Sequence, residues 1–469
     1  MSDESSLVAL QADSEFKRNS LIIVLNSLVS LLLVWLLMQL GLTDAIAWTA
    51  GITLFTAVFW ISEAIPIPAS SLIPFLAFPL AGVLTHKEAA SSLGNHVIML
   101  LMGAFMLSKA IERSQVHKRF ALFMIRVTGG RSAKRLVLAF MLTAALLSMW
   151  ISNSATTLML LPIAMAVLQP IKDKRVTTAV LLGTAYAASI GGVGTPIGTP
   201  PNIIFMSVYQ ETTGKDLAFI DWMMIGIPIV LISIPIMALW LTRNLGQLEA
   251  FEVPEVGKWQ PKEIRVLTVF ALVALAWITR QLWTSALDMK AVGDSTIALA
   301  GLLLMFFIPS GDKNERLLDW KTANDIPWGM LLLFAGGICV AKAFTASGLS
   351  QEIGNVLGSF SDLPMLWLML IICLFVTFLT EITSNTATAT LLMPILAVTG
   401  TAMGLDPAVL MIPAVISASC AFMLPVATAP NTIIYSTEKF SIRTMAREGA
   451  ILNIFVALVV TGVAYVSLV

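Results

Sequence analysis

The chain has 469 residues, 57% of them hydrophobic and 12% charged, with a mean hydropathy of +0.88. Soluble domains run at roughly 45–50% apolar and about 25% charged residues, so a soluble multidomain protein is excluded. Lys+Arg and Asp+Glu both number 28, and no net field points to nucleic acid or to an acidic partner surface.

The first 20 residues are polar and mixed in charge, without the basic start, apolar stretch and cleavage site of a signal peptide. Beyond them the chain supplies apolar runs of the ~20 residues that a bilayer crossing takes. Eleven transmembrane helices are predicted at about 21–40, 45–62, 66–84, 96–112, 177–208, 222–242, 266–286, 293–309, 327–346, 408–437 and 449–469. Two further stretches, 136–170 and 364–400, break near their middles at a polar trio and predict re-entrant helical hairpins. The expected fold class is therefore an all-α polytopic membrane protein of the lipid bilayer. Residues 116–127 and 349–360 each carry an apolar face beside polar residues and predict amphipathic surface helices.

With both hairpins returning to their own side, most basic residues fall on one side, including the Arg113–Arg135 stretch and Lys172, Lys174 and Arg175. The other side holds Lys87, Lys215, Arg280 and Lys290. The positive-inside rule then places the N-terminus in the cytoplasm and the C-terminus outside. Lys109 and Lys342 lie near helix ends, where a long side chain reaches the interface.

The halves repeat one another. Gly103 aligns with Gly336 and Lys109 with Lys342 at an offset of 233; SNSATTLMLLPIA at Ser152 aligns with SNTATATLLMPIL at Ser384 at 232; TPPN at Thr199 aligns with TAPN at Thr428 at 229. The hairpins open to opposite sides, so the repeat is inverted. Inverted repeats with interrupted helices at matching positions point to a secondary transporter with a midplane site.

A broken helix survives in a membrane only where it lines protein or a cavity. Each trio ends one short helix, freeing carbonyls that suit a cation, and starts another, freeing N–H groups that suit an anion. Ser148 and Thr380 each precede their trio by four residues, on the same helix face. The prolines of GTPPN (198–202) and ATAPN (427–431) free further carbonyls. No Lys, Arg or His lies in a trio or in either of these segments. An anion buried there needs a co-bound cation to offset its charge. Glu63 and Glu381 are the intramembrane carboxylates, each with a structural alternative as a loop or helix-end cap. The three cysteines, Cys339, Cys373 and Cys420, have no disulfide or metal spacing, and His86, His96 and His117 stand apart from the trios. An enzyme is not expected; an anion channel is a remote alternative.

The paired SNS/SNT hairpins, the GTPPN and ATAPN breaks and the ISEAIPIP entry (61–68) resemble the divalent anion:sodium symporter family. The resemblance runs from about residue 20 to the end. It implies a homodimer of the bacterial inner membrane that imports a C4-dicarboxylate such as succinate with Na⁺ by an elevator motion. Carried over by motif, one Na⁺ site would use Ser148, Ser152, Asn153 and Gly198, and the other Thr380, Thr383, Asn385 and Ala427. The dianion would meet Asn153, Ser154, Thr199, Asn385, Thr386 and Thr428. In that scheme 1–20 is a cytoplasmic segment and 244–265 a linker. Residues 21–135 and 266–363 are scaffold with surface arms, and 136–243 and 364–469 carry the hairpins and transport-domain helices. Ser154 stands where dicarboxylate carriers usually show Thr, and Ala429 where Pro is usual. Sulfate or citrate is the alternative substrate, and sodium-independent exchange the alternative mode.

Overall fold

The computed structural model describes residues 2–128, 132–246, 257–289, 291–352 and 363–469. Among them every regular element is helical, apart from one isolated bridge between Pro309 and Arg316. Seven helices are long and apolar enough to cross a bilayer, and an eighth span results if Pro261–Ile278 and Arg280–Ala286, bent by 74°, count as one. The protein is an all-α, membrane-embedded chain.

Several of the expected apolar stretches fall on helices that break within them. The 66–84 stretch is two short helices, Ile67–Ser70 and Ile73–Leu80, because prolines at 66, 68, 74 and 79 remove donors that a continuous helix needs. The 177–208 stretch is Lys174–Val193 followed by Pro200–Thr213, and the 408–437 stretch is Ala408–Ala418 followed by Ala429–Tyr435. Between each pair the backbone unwinds, apart from a single 3₁₀ turn at Pro425–Ala427. The surface helix expected at 116–127 spans Val116–Thr128. Most of the one expected at 349–360, the middle of the 244–265 linker, and Lys290 lie outside the described residues.

Each stretch expected as a hairpin holds two helices separated by a polar break: Ala133–Ser148 and Asn153–Leu168 in the first, Met365–Leu379 and Asn385–Ala402 in the second. Pro162 and Pro394 sit at equivalent points inside the second arms. Helix Lys174–Val193 packs along Ala133–Ser148 at the centre of the molecule, and every residue from Ala179 to Val193 is buried. Small residues make this contact possible: a Cβ on Gly191 would lie 2.4 Å from the Ala145 backbone.

Around this core stands a frame in which His96–Ser114 packs on Asp294–Phe307, and Trp328–Ser347 on Asp44–Ser62 and His86–Leu93. One end of the frame is tied by charge. Arg113 pairs with Glu315 at 3.1 Å and also with Asp319, and Lys109 pairs with Asp325 at 3.0 Å.

Candidate functional site

A cavity of about 870 Å³ lies where the two halves meet. Ser152, Asn153 and Ser154 line it from the first break, and Ser384, Asn385 and Thr386 from the second. Gly198 and Thr199 join them from one unwound segment, Ala427 and Thr428 from the other. Four helices begin at its wall, with first residues Asn153, Pro200, Asn385 and Ala429. Helix N-termini present positive dipole ends and N–H groups, so the four starts turn the same electrostatic sign toward one space.

The first oxygen cluster sits behind Asn153. Ser148, fully buried, donates its hydroxyl to Asn153 Oδ1 at 2.6 Å. The opposite amide orientation brings Asn153 Nδ2 to Ser148 Oγ at 2.6 Å and to the carbonyls of Ala188 and Gly198, each at 3.2 Å. In the second orientation the amide nitrogen has acceptors within reach on three sides, which is what an NH₂ donor group requires. Gly198 has no room for a side chain: a Cβ would lie 2.5 Å from Gly192 O and 2.9 Å from Ser148 O.

The second cluster repeats the first. Thr380 is fully buried, and its single hydroxyl proton is shared between Asn385 Oδ1 at 2.7 Å and Ala418 O at 3.0 Å. Sequence reasoning missed the Ala188 and Ala418 carbonyls, because a backbone carbonyl has no side-chain signature. Thr383 is placed apart. Its hydroxyl donates to Leu379 O at 2.9 Å and is 2.6 Å from Thr388 Oγ1, and it does not line the cavity.

The asparagines of the T-P-P-N and T-A-P-N segments brace the unwound backbone. Asn202 Nδ2 donates to Gly192 O at 3.1 Å and Thr195 O at 2.8 Å. Asn431 Nδ2 donates to Ala421 O and Leu424 O, both at 3.0 Å. All three pairs obey the offset of 229. Glu381 has no equivalent in the first half, where Met149 stands at the matching position. Its buried carboxylate accepts from the N–H groups of Phe422, Met423 and Leu424 at 2.7, 2.9 and 3.0 Å, and from Asn453 Nδ2 at 2.7 Å. This is the structural alternative raised for that residue. Glu63 caps the C-terminus of Asp44–Ser62, in the left-handed region at φ 51°, away from the cavity.

Lys109 also lines the cavity, with its partners Glu112 at 3.2 Å and Asp325 at 3.0 Å. The sequence placed it only near a helix end. Its position at the cavity follows from tertiary packing of His96–Ser114 beside the breaks, which no local pattern reports.

Residues 57–409 match the family described as citrate transporter. The sodium-dependent dicarboxylate transporter SdcS of Staphylococcus saprophyticus is 39% identical over 471 residues, covering 94% of this chain and 90% of that protein. Its counterpart from Staphylococcus aureus is 37% identical over 440 residues, covering 88% and 84%. Among solved structures, the YdaH transporter of Alcanivorax borkumensis superposes with a TM-score of 0.57 at 14% identity, over 81% of this chain and 86% of that one; this likeness concerns the fold alone. The chain belongs to the citrate-transporter family, within the divalent anion:sodium symporters that its motifs resemble. That family comprises transporters, not enzymes.

Proposed function

We propose that the chain imports a C4-dicarboxylate dianion together with Na⁺ as a secondary transporter. The observation that carries the reading is the single cavity in which both trios and both unwound T-x-P-N segments meet. Dianion carboxylates fit the cavity-facing helix starts and the side chains of Asn153, Ser154, Thr199, Asn385, Thr386 and Thr428. Na⁺ fits the oxygens behind them. In the first half these come from Ser148, Ser152, Asn153 and Gly198, with the Ala188 carbonyl added. In the second half they come from Thr380, Asn385 and Ala427, with the Ala418 carbonyl added, while the Thr383 hydroxyl is engaged by Leu379 O and Thr388 Oγ1. Lys109 is engaged by two carboxylates, so positive charge next to the dianion comes chiefly from Na⁺. Burying a dianion without it costs far more than hydrogen bonds return, and this makes the two cargoes interdependent.

The finer architecture belongs to the same proposal. Eleven crossings and two re-entrant hairpins place the N-terminus in the cytoplasm of a bacterium and the C-terminus outside, in a homodimer. Lys109, Glu112 and Asp325 then mark the cavity mouth as cytoplasmic, and the arrangement is inward-open. An elevator motion of the hairpin-bearing unit against the frame would carry the site across.

The test is uptake of labelled succinate, citrate and sulfate into proteoliposomes, with Na⁺ replaced by K⁺ or choline. Succinate uptake that requires Na⁺ supports the reading. Preference for citrate or sulfate changes the cargo, Na⁺-independent counterflow indicates exchange, and conductance without accumulation indicates a channel.

A further inference from the structure

We infer that Lys342 and Glu211 form a latch holding the hairpin-bearing unit against the frame in the present arrangement, and that Lys109 is its repeat-related counterpart for the opposite one. The inference rests on the transporter reading, because a latch needs two arrangements to choose between.

Helix Pro200–Thr213 starts at the cavity wall and packs against Trp328–Ser347 of the frame. Toward the far end of that contact Lys342 Nζ donates to Ser91 Oγ at 2.7 Å and stands 3.9 Å from Glu211 Oε2. Ser91 lies on His86–Leu93, part of the frame, whereas Glu211 lies on the helix that follows the first unwound segment. One ammonium therefore bridges the two bodies. The side chains are only 18% and 27% exposed, so solvent screens the pair less than it screens an open surface pair.

Lys109 occupies the equivalent place in the other half, at the offset of 233. Its partners differ in kind. Glu112 is on its own helix and Asp325 is beside Trp320–Ala323, so both belong to the frame. At the Lys342 end a lysine reaches across to the hairpin-bearing unit; at the open Lys109 end the lysine is held within the frame.

Inverted repeats exchange the roles of their two ends when the central unit moves. The counterpart of Glu211 for Lys109 must then be an acidic residue just beyond helix Ala429–Tyr435. At the offset of 229 Glu211 meets Phe440, and the acidic residue beside that point is Glu438, exposed two positions earlier. Closing the Lys109 end would bring Glu438 to Lys109 as Glu211 leaves Lys342. Each pair favours one arrangement by its differential interaction, which is what moves a two-state balance.

The test is single-molecule energy transfer between dyes on Lys87→Cys, exposed on the frame, and Thr401→Cys, exposed at the end of the second hairpin. The native cysteines are buried. Glu211→Gln and Lys342→Gln should each lower the ratio of the present arrangement to the other about three- to tenfold, the range of a partly buried ion pair. The charge swap Glu211→Lys with Lys342→Glu should return it to within about twofold of the parent. Glu438→Gln should raise the ratio. The latch is overturned if the folded, monodisperse Gln variants both keep the parental ratio, or if the swap stays as displaced as the single variants. A parent that shows one population under every cargo condition refutes the two-arrangement reading beneath it, a separable outcome.

Discussion

Replacing Thr380 by Val probes the second oxygen cluster most directly. Thr380 is fully buried, and its hydroxyl bonds Asn385 Oδ1 at 2.7 Å and Ala418 O at 3.0 Å. Valine preserves volume but removes the oxygen, so the one donor that the Asn385 and Ala418 oxygens share is lost, at a cost of about 1–3 kcal/mol in stability. If the hydroxyl oxygen also faces Na⁺, the variant loses a contact to a charged group, worth roughly 1.5–3 kcal/mol. That corresponds to about a tenfold or greater rise in the Na⁺ concentration for half-maximal uptake. By linkage, substrate affinity at limiting Na⁺ falls by the same coupling, while saturating Na⁺ largely restores it. Thr383→Val is the internal control, because its hydroxyl is bonded to Leu379 O and Thr388 Oγ1; its Na⁺ curve should shift less than about threefold. The assay is Na⁺ activation of succinate uptake in proteoliposomes, normalised to folded protein. A Thr380→Val carrier with an unchanged Na⁺ curve, or a larger shift in Thr383→Val, refutes the assignment.

Calorimetry in Na⁺ and in choline should show dianion affinity rising steeply with Na⁺; equal affinity in both media would move the protein to the exchanger reading. Glu381→Gln places an amide nitrogen or a weaker acceptor against three backbone N–H groups and Asn453, and should destabilise the fold by roughly 2 kcal/mol or more. A thermal midpoint equal to the parent's would show that this carboxylate does not hold the second unwound segment. A cysteine introduced in the 401–406 loop should react with an impermeant external thiol reagent, and one at 172–175 should not. The reverse pattern would invert the proposed orientation.

The sequence was most legible where function resides in side chains repeated in register. Asn153 and Asn385, Thr199 and Thr428, and Asn202 and Asn431 were visible as motifs; the first two pairs line one cavity, and the third braces the unwound backbone. It was less legible where backbone or packing decides. The Ala188 and Ala418 carbonyls become available through the paths of their helices, and alanine says nothing of that. Lys109 reaches the cavity only because His96–Ser114 packs beside the breaks. Hydropathy also smoothed over the split at 71–72 and the bend at Thr279, since both leave apolar composition unchanged while altering backbone direction. The four prolines of the 66–79 segment are compatible with the split into two short helices, and a window average discards them.

The accounting of backbone groups at the two breaks explains why cation and anion sites should depend on one another. Unwinding inside a membrane frees carbonyls and N–H groups that something must satisfy. In the first break, Asn202 takes the carbonyls of Gly192 and Thr195, Trp222 Nε1 takes Val193 O at 2.8 Å, and Thr195 Oγ1 takes Met149 O. In the second, Asn431 takes Ala421 O and Leu424 O, and Glu381 takes three N–H groups. The Ala188 carbonyl instead faces Asn153, and the Ala418 carbonyl faces Thr380, whose hydroxyl also meets Asn385; Asn153 and Asn385 are the first residues of helices that open onto the cavity. A cation at those oxygens would therefore fix the same residues whose helix starts meet the anion. The free energy of ordering the break is spent once, on the first cargo, and the second meets a site already formed. This gives positive coupling beyond charge neutralisation alone, and it explains why the asparagine, with an acceptor and two donors on one side chain, stands at the centre of both trios.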